Sequence, residues 1–183
     1  MILANLYPLK TVILGSLFAL GLVLLMPSTS NASASHELFK GPNGISVSGG
    51  HVWVTNVATL NKGGDWITEL KASNGSLVRI INASADEFSN VGEIAVSGGH
   101  VWVTNSGTPS ISDFGTPSTV DSVIELNASN GSLVRVINPQ GNGNFDNAGG
   151  ITVSGGHVWV TNQKDDAVTE LNASNGSFVR AIK

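Results

Sequence analysis

The octapeptide Gly-Gly-His-Val-Trp-Val-Thr-Asn occurs three times without a change, at residues 49–56, 98–105 and 155–162. Copies spaced 49 and 57 residues apart mark one unit repeated in tandem. Such a chain buries its apolar surface by stacking each unit on the next. The likeness extends beyond the identical core. Phe39, Phe88 and Phe145 each stand six residues before Ile45, Ile94 and Ile151. Each isoleucine stands six before His51, His100 or His157. After the core asparagine the copies differ in length. They converge again on Thr68-Glu69-Leu70, Ile124-Glu125-Leu126 and Thr169-Glu170-Leu171, then on Ala-Ser-Asn-Gly-Ser and Val-Arg. The units run 39–82, 88–138 and 145–183.

Each unit reads as four strands. Residues 45–48 alternate apolar and polar, the period of a half-buried strand. Gly49-Gly50 is a two-residue hairpin turn, which needs positive φ. Residues 51–56, rich in β-branched and aromatic types, form the second strand. Residues 66–72 form the third, Ser73-Asn74-Gly75 a three-residue turn, and residues 76–81 the fourth. No window has helical periodicity, so the domain is expected to be all-β.

A four-stranded unit in tandem is the pattern of a propeller blade. The Val-Trp-Val-Thr-Asn core (Val52, Val101 and Val158 onward) resembles the Tyr-Val-Thr-Asn repeat of bacterial β-propellers. The whole unit, with its Gly-Ile-x-Val opening and Asn-Gly hairpin, also resembles NHL-like and, more distantly, streptogramin-lyase-like propellers. The fold class this implies is three four-stranded propeller-type blades, a partial β-propeller. The alternative is a β-trefoil, which also has three units of four strands. Length variation confined to the second-to-third connection and the joins between units favours blades.

The N-terminus reads separately. One positive charge, Lys10, precedes an apolar run of residues 11–26, then Pro27 and a small-residue stretch containing Ala32-Ser33-Ala34. This is a secretory signal peptide over 1–34, cut after Ala34. The alternative is a retained anchor, although the run falls short of the roughly 20 residues that span a bilayer. The domain is then 35–183, secreted or in the cell envelope. It keeps eight Lys and Arg against 13 Asp and Glu. That mildly acidic balance offers no footprint for nucleic acid. The chain has no cysteine, which excludes disulfides and thiol chemistry.

Strand alternation assigns the turns to two faces. The Gly-Gly and Ser-Asn-Gly turns share one uniform face. The connections 57–65, 106–121 and 163–167, and the joins 83–87 and 139–144, share the other. Binding residues sit preferentially on loops held by a rigid scaffold, so the variable face is the expected working surface. His51, His100 and His157 follow Gly-Gly and read as structural. Trp53, Trp102 and Trp159 lie mid-strand and read as packing between blades. Glu69, Glu125 and Glu170 precede Arg79, Arg135 and Arg180 by ten residues, which sets each pair across the last hairpin as an ion pair of about 0.2–1 kcal/mol. The variable face carries Asp65, Asp113, Asp121, Asp146, Asp165, Asp166 and Glu93. Glu93 differs from the rest of the repeat, replacing Gly44 and Gly150 of the other copies. If opening strands line the axis it faces the channel, where a carboxylate suits Ca²⁺ or Mg²⁺. Asn56, Asn105 and Asn162 end their strands on the same face and are candidate ligand contacts with Glu93.

Propellers close with typically four to eight blades. Three blades leave open ends, so a dimer completing the ring is expected. The functional reading is a binding or scaffold module with a protein or carbohydrate partner, no catalytic residues and no required cofactor. The streptogramin-lyase-like resemblance implies an alternative, a metal-dependent lyase or lactone hydrolase using a histidine and acidic residues. His36 is the one histidine outside the repeats. A fragment of a longer propeller is the third reading.

Overall fold

The computed structural model of the chain describes residues 37–58, 64–82, 88–107, 121–138 and 145–183. Residues 1–36, which include the expected signal segment and His36, and Asp113 lie outside the described residues. So do 59–63, 83–87, 108–120 and 139–144. Among the described residues, twelve strands form three separate antiparallel sheets of four consecutive strands each. The first blade holds β1 (Pro42–Ser48), β2 (His51–Asn56), β3 (Trp66–Lys71) and β4 (Leu77–Asn82). The second holds β5 (Val91–Ser97), β6 (His100–Asn105), β7 (Ser122–Asn127) and β8 (Leu133–Ile137). The third holds β9 (Ala148–Ser154), β10 (His157–Asn162), β11 (Ala167–Asn172) and β12 (Phe178–Ile182). Among the described residues no strand is shared between sheets, and this excludes the trefoil.

The hairpin chemistry follows the sequence, with two adjustments. Gly49 and Gly50 have φ of 59° and 79°, the pair of positive values that a two-residue primed turn requires. The last hairpin is longer than three residues. Gly75 N–H donates to the Lys71 carbonyl and Lys71 N–H to that of Ser76, so the loop is residues 72–75. Asn74 Oδ1 accepts from Ser76 N–H inside it. The opening strand is also longer than the 45–48 alternation suggests. It starts at Pro42, because a bulge between Pro42 and Ile45 re-aims the backbone before regular pairing begins. The two turns of a blade lie side by side: Ala72, Ala128 and Ala173 donate N–H to Gly50, Gly99 and Gly156 at 2.8–2.9 Å.

The core lies between blades, not within them. β1 packs on β5 and β5 on β9, so the opening strands are innermost. One cluster joins Trp53, Ile67 and Ile81 of the first blade to Phe88, Val91, Ile94 and Val101 of the second. The next joins Trp102, Val123 and Ile137 to Phe145, Ala148, Val158 and Leu171 of the third. Trp159, the last tryptophan of the series, has no following blade over it and is half-buried.

Candidate functional site

The inner strands β1 and β5 approach closely. A Cβ on Gly44 would lie 2.8 Å from Glu93 Cα, and one on Gly92 would lie 2.6 Å from Thr104 Oγ1. Glu93 takes the position that Gly44 and Gly150 hold in the flanking blades, and its side chain is exposed. It lines a cleft of about 410 Å³ between the inner ends of the second and third blades. Asn43, Asn90, Ser106 and Gln163 line the same cleft, with the backbone of β9 from Ala148 to Ile151 as one wall. The lining thus offers one carboxylate, three amides and a hydroxyl. Ca²⁺ takes six to eight oxygens. Among the described residues no group of three or more His, Asp or Glu is placed to hold a metal ion.

The strand-end asparagines point into the blade instead of the cleft. Asn56, Asn105 and Asn162 are 0%, 7% and 2% exposed. Asn56 Nδ2 donates to Thr68 Oγ1 and to the Val54 and Trp66 carbonyls, while its Oδ1 accepts from Lys40 N–H at 3.1 Å. Asn105 repeats the device, accepting from Ser89 N–H and donating to Ser122 Oγ. Asn162 Nδ2 donates to Thr169 Oγ1 at 2.6 Å. In the first two blades these amides pin the incoming segment to the middle strands, whereas Asn162 Oδ1 is buried with no hydrogen-bond partner among the described residues. That differs from the expected ligand contact, and the reason is burial: the bulge after Pro42, and its copies, bring the incoming chain over the strand end.

The ion pairs differ from expectation in the same direction. Each glutamate is buried, at 1%, 0% and 3% exposure. Each also contacts the histidine of its blade as well as the arginine. His51, His100 and His157 Nδ1 lie 2.6, 2.6 and 2.7 Å from Glu69, Glu125 and Glu170 Oε1. The second carboxylate oxygen takes Arg79, Arg135 (2.6 Å) and Arg180 (2.6 Å) through Nε. Ten-residue spacing places Arg opposite Glu in register, as Glu69 opposite Arg79. The histidine reaches the same carboxylate diagonally, since Glu69 faces Trp53, two residues past His51. At Glu125, burial raises the carboxyl above its ordinary value of 4.5, against the lowering pull of Arg135 and His100. A buried carboxylate needs its partners to offset desolvation, so the triad is a single structural unit per blade.

Two aspartates on the variable face do work that the repeat alone did not reveal. Asp65, 5% exposed, accepts Ala58 N–H on Oδ1 and Val91 N–H on Oδ2, at 2.8 and 2.9 Å. Asp121 Oδ2 accepts Ala148 N–H at 3.0 Å. Each ties its own blade to the opening strand of the next. The signal was present: an aspartate immediately precedes the third strand in all three units (Asp65, Asp121, Asp166). Asp146 pairs with Lys164 at 2.8 Å on the exposed edge of the third blade, and that hydrogen bond holds Lys164 above its ordinary value. Asp165 and Asp166 are exposed.

No protein-family profile matches the sequence, and no curated protein matches it. Solved structures do match the fold. The nidogen/laminin complex aligns at TM-score 0.53 and 15% identity, over 78% of this chain and 47% of that one. The β-propeller domain of the Trilobed protease from Pyrococcus furiosus, which has an open velcro topology, aligns at 0.52 and 12%, over 77% and 41%. The β-propeller domain of Cps50 (Swd1) from Myceliophteria thermophila aligns at 0.52 and 10%, over 77% and 38%. The chain therefore spans half or less of the length of these chains. Identity this low speaks to fold alone. Three consecutive four-stranded sheets around inner strands β1, β5 and β9 are the blades of an open, partial β-propeller.

Proposed function

We propose that the protein is a non-enzymatic binding module of the Tyr-Val-Thr-Asn or NHL-like propeller type, working outside the cytoplasm. Its ligand site is the axial cleft at Glu93 on the variable-loop face. The observation that carries this reading is the one charge in the inner wall: an exposed carboxylate where both flanking blades have glycine. Glycine is sterically required at Gly44, whose Cβ would lie 2.8 Å from Glu93 Cα, whereas position 93 accommodates an exposed side chain that joins none of the ion pairs between described residues. The charge is therefore explained by what it meets, not by what it supports. One carboxylate among Asn43, Asn90, Ser106 and Gln163 offers acceptors and donors for a hydroxyl-rich ligand, and a carbohydrate is the class we favour. The histidines support binding over lyase chemistry, since each Nδ1 is engaged by a buried glutamate in the same arrangement in every blade.

The test is a glycan array followed by titration calorimetry on any hit, with wild type beside Glu93→Gln and Gln163→Ala. Loss of affinity of about tenfold or more in both variants is expected, a size consistent with removing a hydrogen bond to a charged group. Binding that survives both substitutions would place the ligand elsewhere and overturn the assignment.

A further inference from the structure

The two blade-to-blade contacts inside the chain are copies of one interface. Ile81 of the first blade sits on Gly131 of the second, and Ile137 of the second sits on Gly176 of the third. A Cβ on either glycine would come within 2.8 Å of the isoleucine Cδ1. Arg79 donates across the first contact to the Ala128 carbonyl, at 3.5 Å, and Arg135 across the second to that of Ser174, at 3.1 Å. Trp53 shares its core with Phe88, and Trp102 with Phe145.

Each half of this interface is left over once. On the third blade, Ile182 is 47% exposed where Ile81 and Ile137 are 9% and 6%. Trp159 is half-buried where Trp53 and Trp102 are 2% and 1% exposed, with the Arg180 guanidinium 5.9 Å from its ring centroid. On the first blade, a Cβ on Gly75 would meet nothing within 4 Å. Phe39 and Ile45 there are 42% and 66% exposed, where Phe88 and Ile94 are 2% and 5%. The unmatched halves are thus complementary by the chain's own standard: an isoleucine and tryptophan without a glycine turn, and a glycine turn without them.

We propose that a second copy of this chain occupies both halves, docked head to tail, so that the third blade of each covers the first blade of the other. Three blades and three blades close a six-bladed ring, within the four to eight that propellers use. A head-to-tail contact that closes on itself leaves no free half, so assembly stops at two chains. The second blades then stand opposite each other across the axis, and the two Glu93 carboxylates face one channel. The cleft is completed only by the partner copy. The new seam differs from the internal contacts in one respect. Val91 and Ala148 donate N–H to Asp65 and Asp121, but the corresponding residue of the first blade is Pro42, which has no N–H. The seam lacks that bond and is the contact that opens first.

Light scattering after size-exclusion chromatography of the full chain at micromolar concentration is the test. Twice the chain mass, with no larger species, is expected. Ile45→Lys and Trp159→Ala should each raise the dissociation constant by about 100-fold or more, the first by putting an unpaired charge into the seam and the second by removing the aromatic that the internal contacts bury. Ile45 is already 66% exposed in the single chain, so circular dichroism of Ile45→Lys should match wild type. Val136→Lys, on outer strand β8 at 50% exposure, should leave the mass unchanged. A monomer would overturn the proposal and leave the open faces to further blades or another protein. A ladder of larger species would refute closure. A dimer that survives Ile45→Lys, or is dissolved by Val136→Lys, would have another geometry and refute the ring. None of these outcomes depends on the ligand.

Discussion

Gly75, Gly131 and Gly176 hold the same turn position with nearly the same backbone, at φ of 70°, 75° and 73°. Replacing each by alanine imposes one common cost. A left-handed residue with a Cβ costs roughly 1–2 kcal/mol, and reduced freedom of the unfolded chain returns about 0.4–1 kcal/mol. Gly75→Ala should therefore cost the isolated chain about 0.5–1 kcal/mol, since its Cβ meets open space. Gly131→Ala adds a collision. Its Cβ would sit 2.8 and 2.9 Å from Cδ1 and Cγ1 of Ile81, about 1 Å inside the normal carbon–carbon separation. Ile81 is 9% exposed and belongs to the same core cluster as Trp53 and Phe88, so a shift of its side chain repacks that cluster. Overpacking of this kind costs about 1–3 kcal/mol. Gly131→Ala should thus be less stable than Gly75→Ala by about 1–3 kcal/mol, and Gly176→Ala should behave like Gly131→Ala. Urea denaturation at a dilution where the chain is monomeric measures the difference as a shift in midpoint at constant slope. A gap below about 0.5 kcal/mol would show that the blades do not seat isoleucine on the glycine turn, and would remove the basis for the seam.

Trp102→Ala should cost about 3–5 kcal/mol, the range for a buried aromatic, and Trp159→Ala less than half as much in the monomer; equal losses by thermal melting would contradict the open third blade. Asp65→Ala should cost about 2–3 kcal/mol, because it strands the Ala58 and Val91 N–H groups, with Asp65→Asn recovering part of that in denaturant titration. The Glu125 carboxyl should titrate above 4.5 in the folded protein, followed by its side-chain carbon resonance; a midpoint at or below 4.5 would contradict the dominance of burial. Because the folded value is raised, the linked stabilisation is fully present below 4.5 and is lost as pH climbs through the folded value, and Glu125→Gln should flatten that stretch of the stability profile.

The fold was legible because the repeat is read twice, once as strand periodicity and once as identical turns. The octapeptide fixes β2, β6 and β10 to the residue, since Gly-Gly before it and the strand-end Asn after it are both structural. The roles of the charged residues were less legible. Glu69 and Arg79 declare themselves by register, but His51 reaches the same carboxylate from the diagonal of the next strand, where one-dimensional spacing gives no warning. Depth was harder still. A Glu opposite an Arg in a hairpin reads as an exposed pair, yet Glu170 is 3% exposed even though no further described blade stacks on its own, so its burial arises within the blade. Asp65 and Asp121 were visible as loop acids, yet the Val91 and Ala148 N–H groups they accept belong to the next blade and come into range only after the units stack.

Identical sequence does not produce identical environment in this chain, and that inequality separates structure from function. The three copies of Val-Trp-Val-Thr-Asn have the same backbone and pairing, but Thr55 and Thr104 are fully buried while Thr161 is exposed. Thr55 Oγ1 donates to the Gly92 carbonyl of the next blade at 2.7 Å, and Thr161 has no next blade within the chain to donate to. A repeat under purely local selection could let its terminal copy drift toward polar residues, as capping repeats of stacked arrays do. Here the last copy keeps Trp159, Thr161 and Ile182, and the first keeps Phe39 and Ile45, each in the form that an inner contact uses. Glu93 breaks the pattern in the opposite sense, being charged where neither neighbour is. Residues that hold to the repeat where nothing in the chain covers them point to an interface, and a residue that departs from it at the axis points to a ligand. The proposed channel site and the proposed end-to-end assembly rest on these two observations.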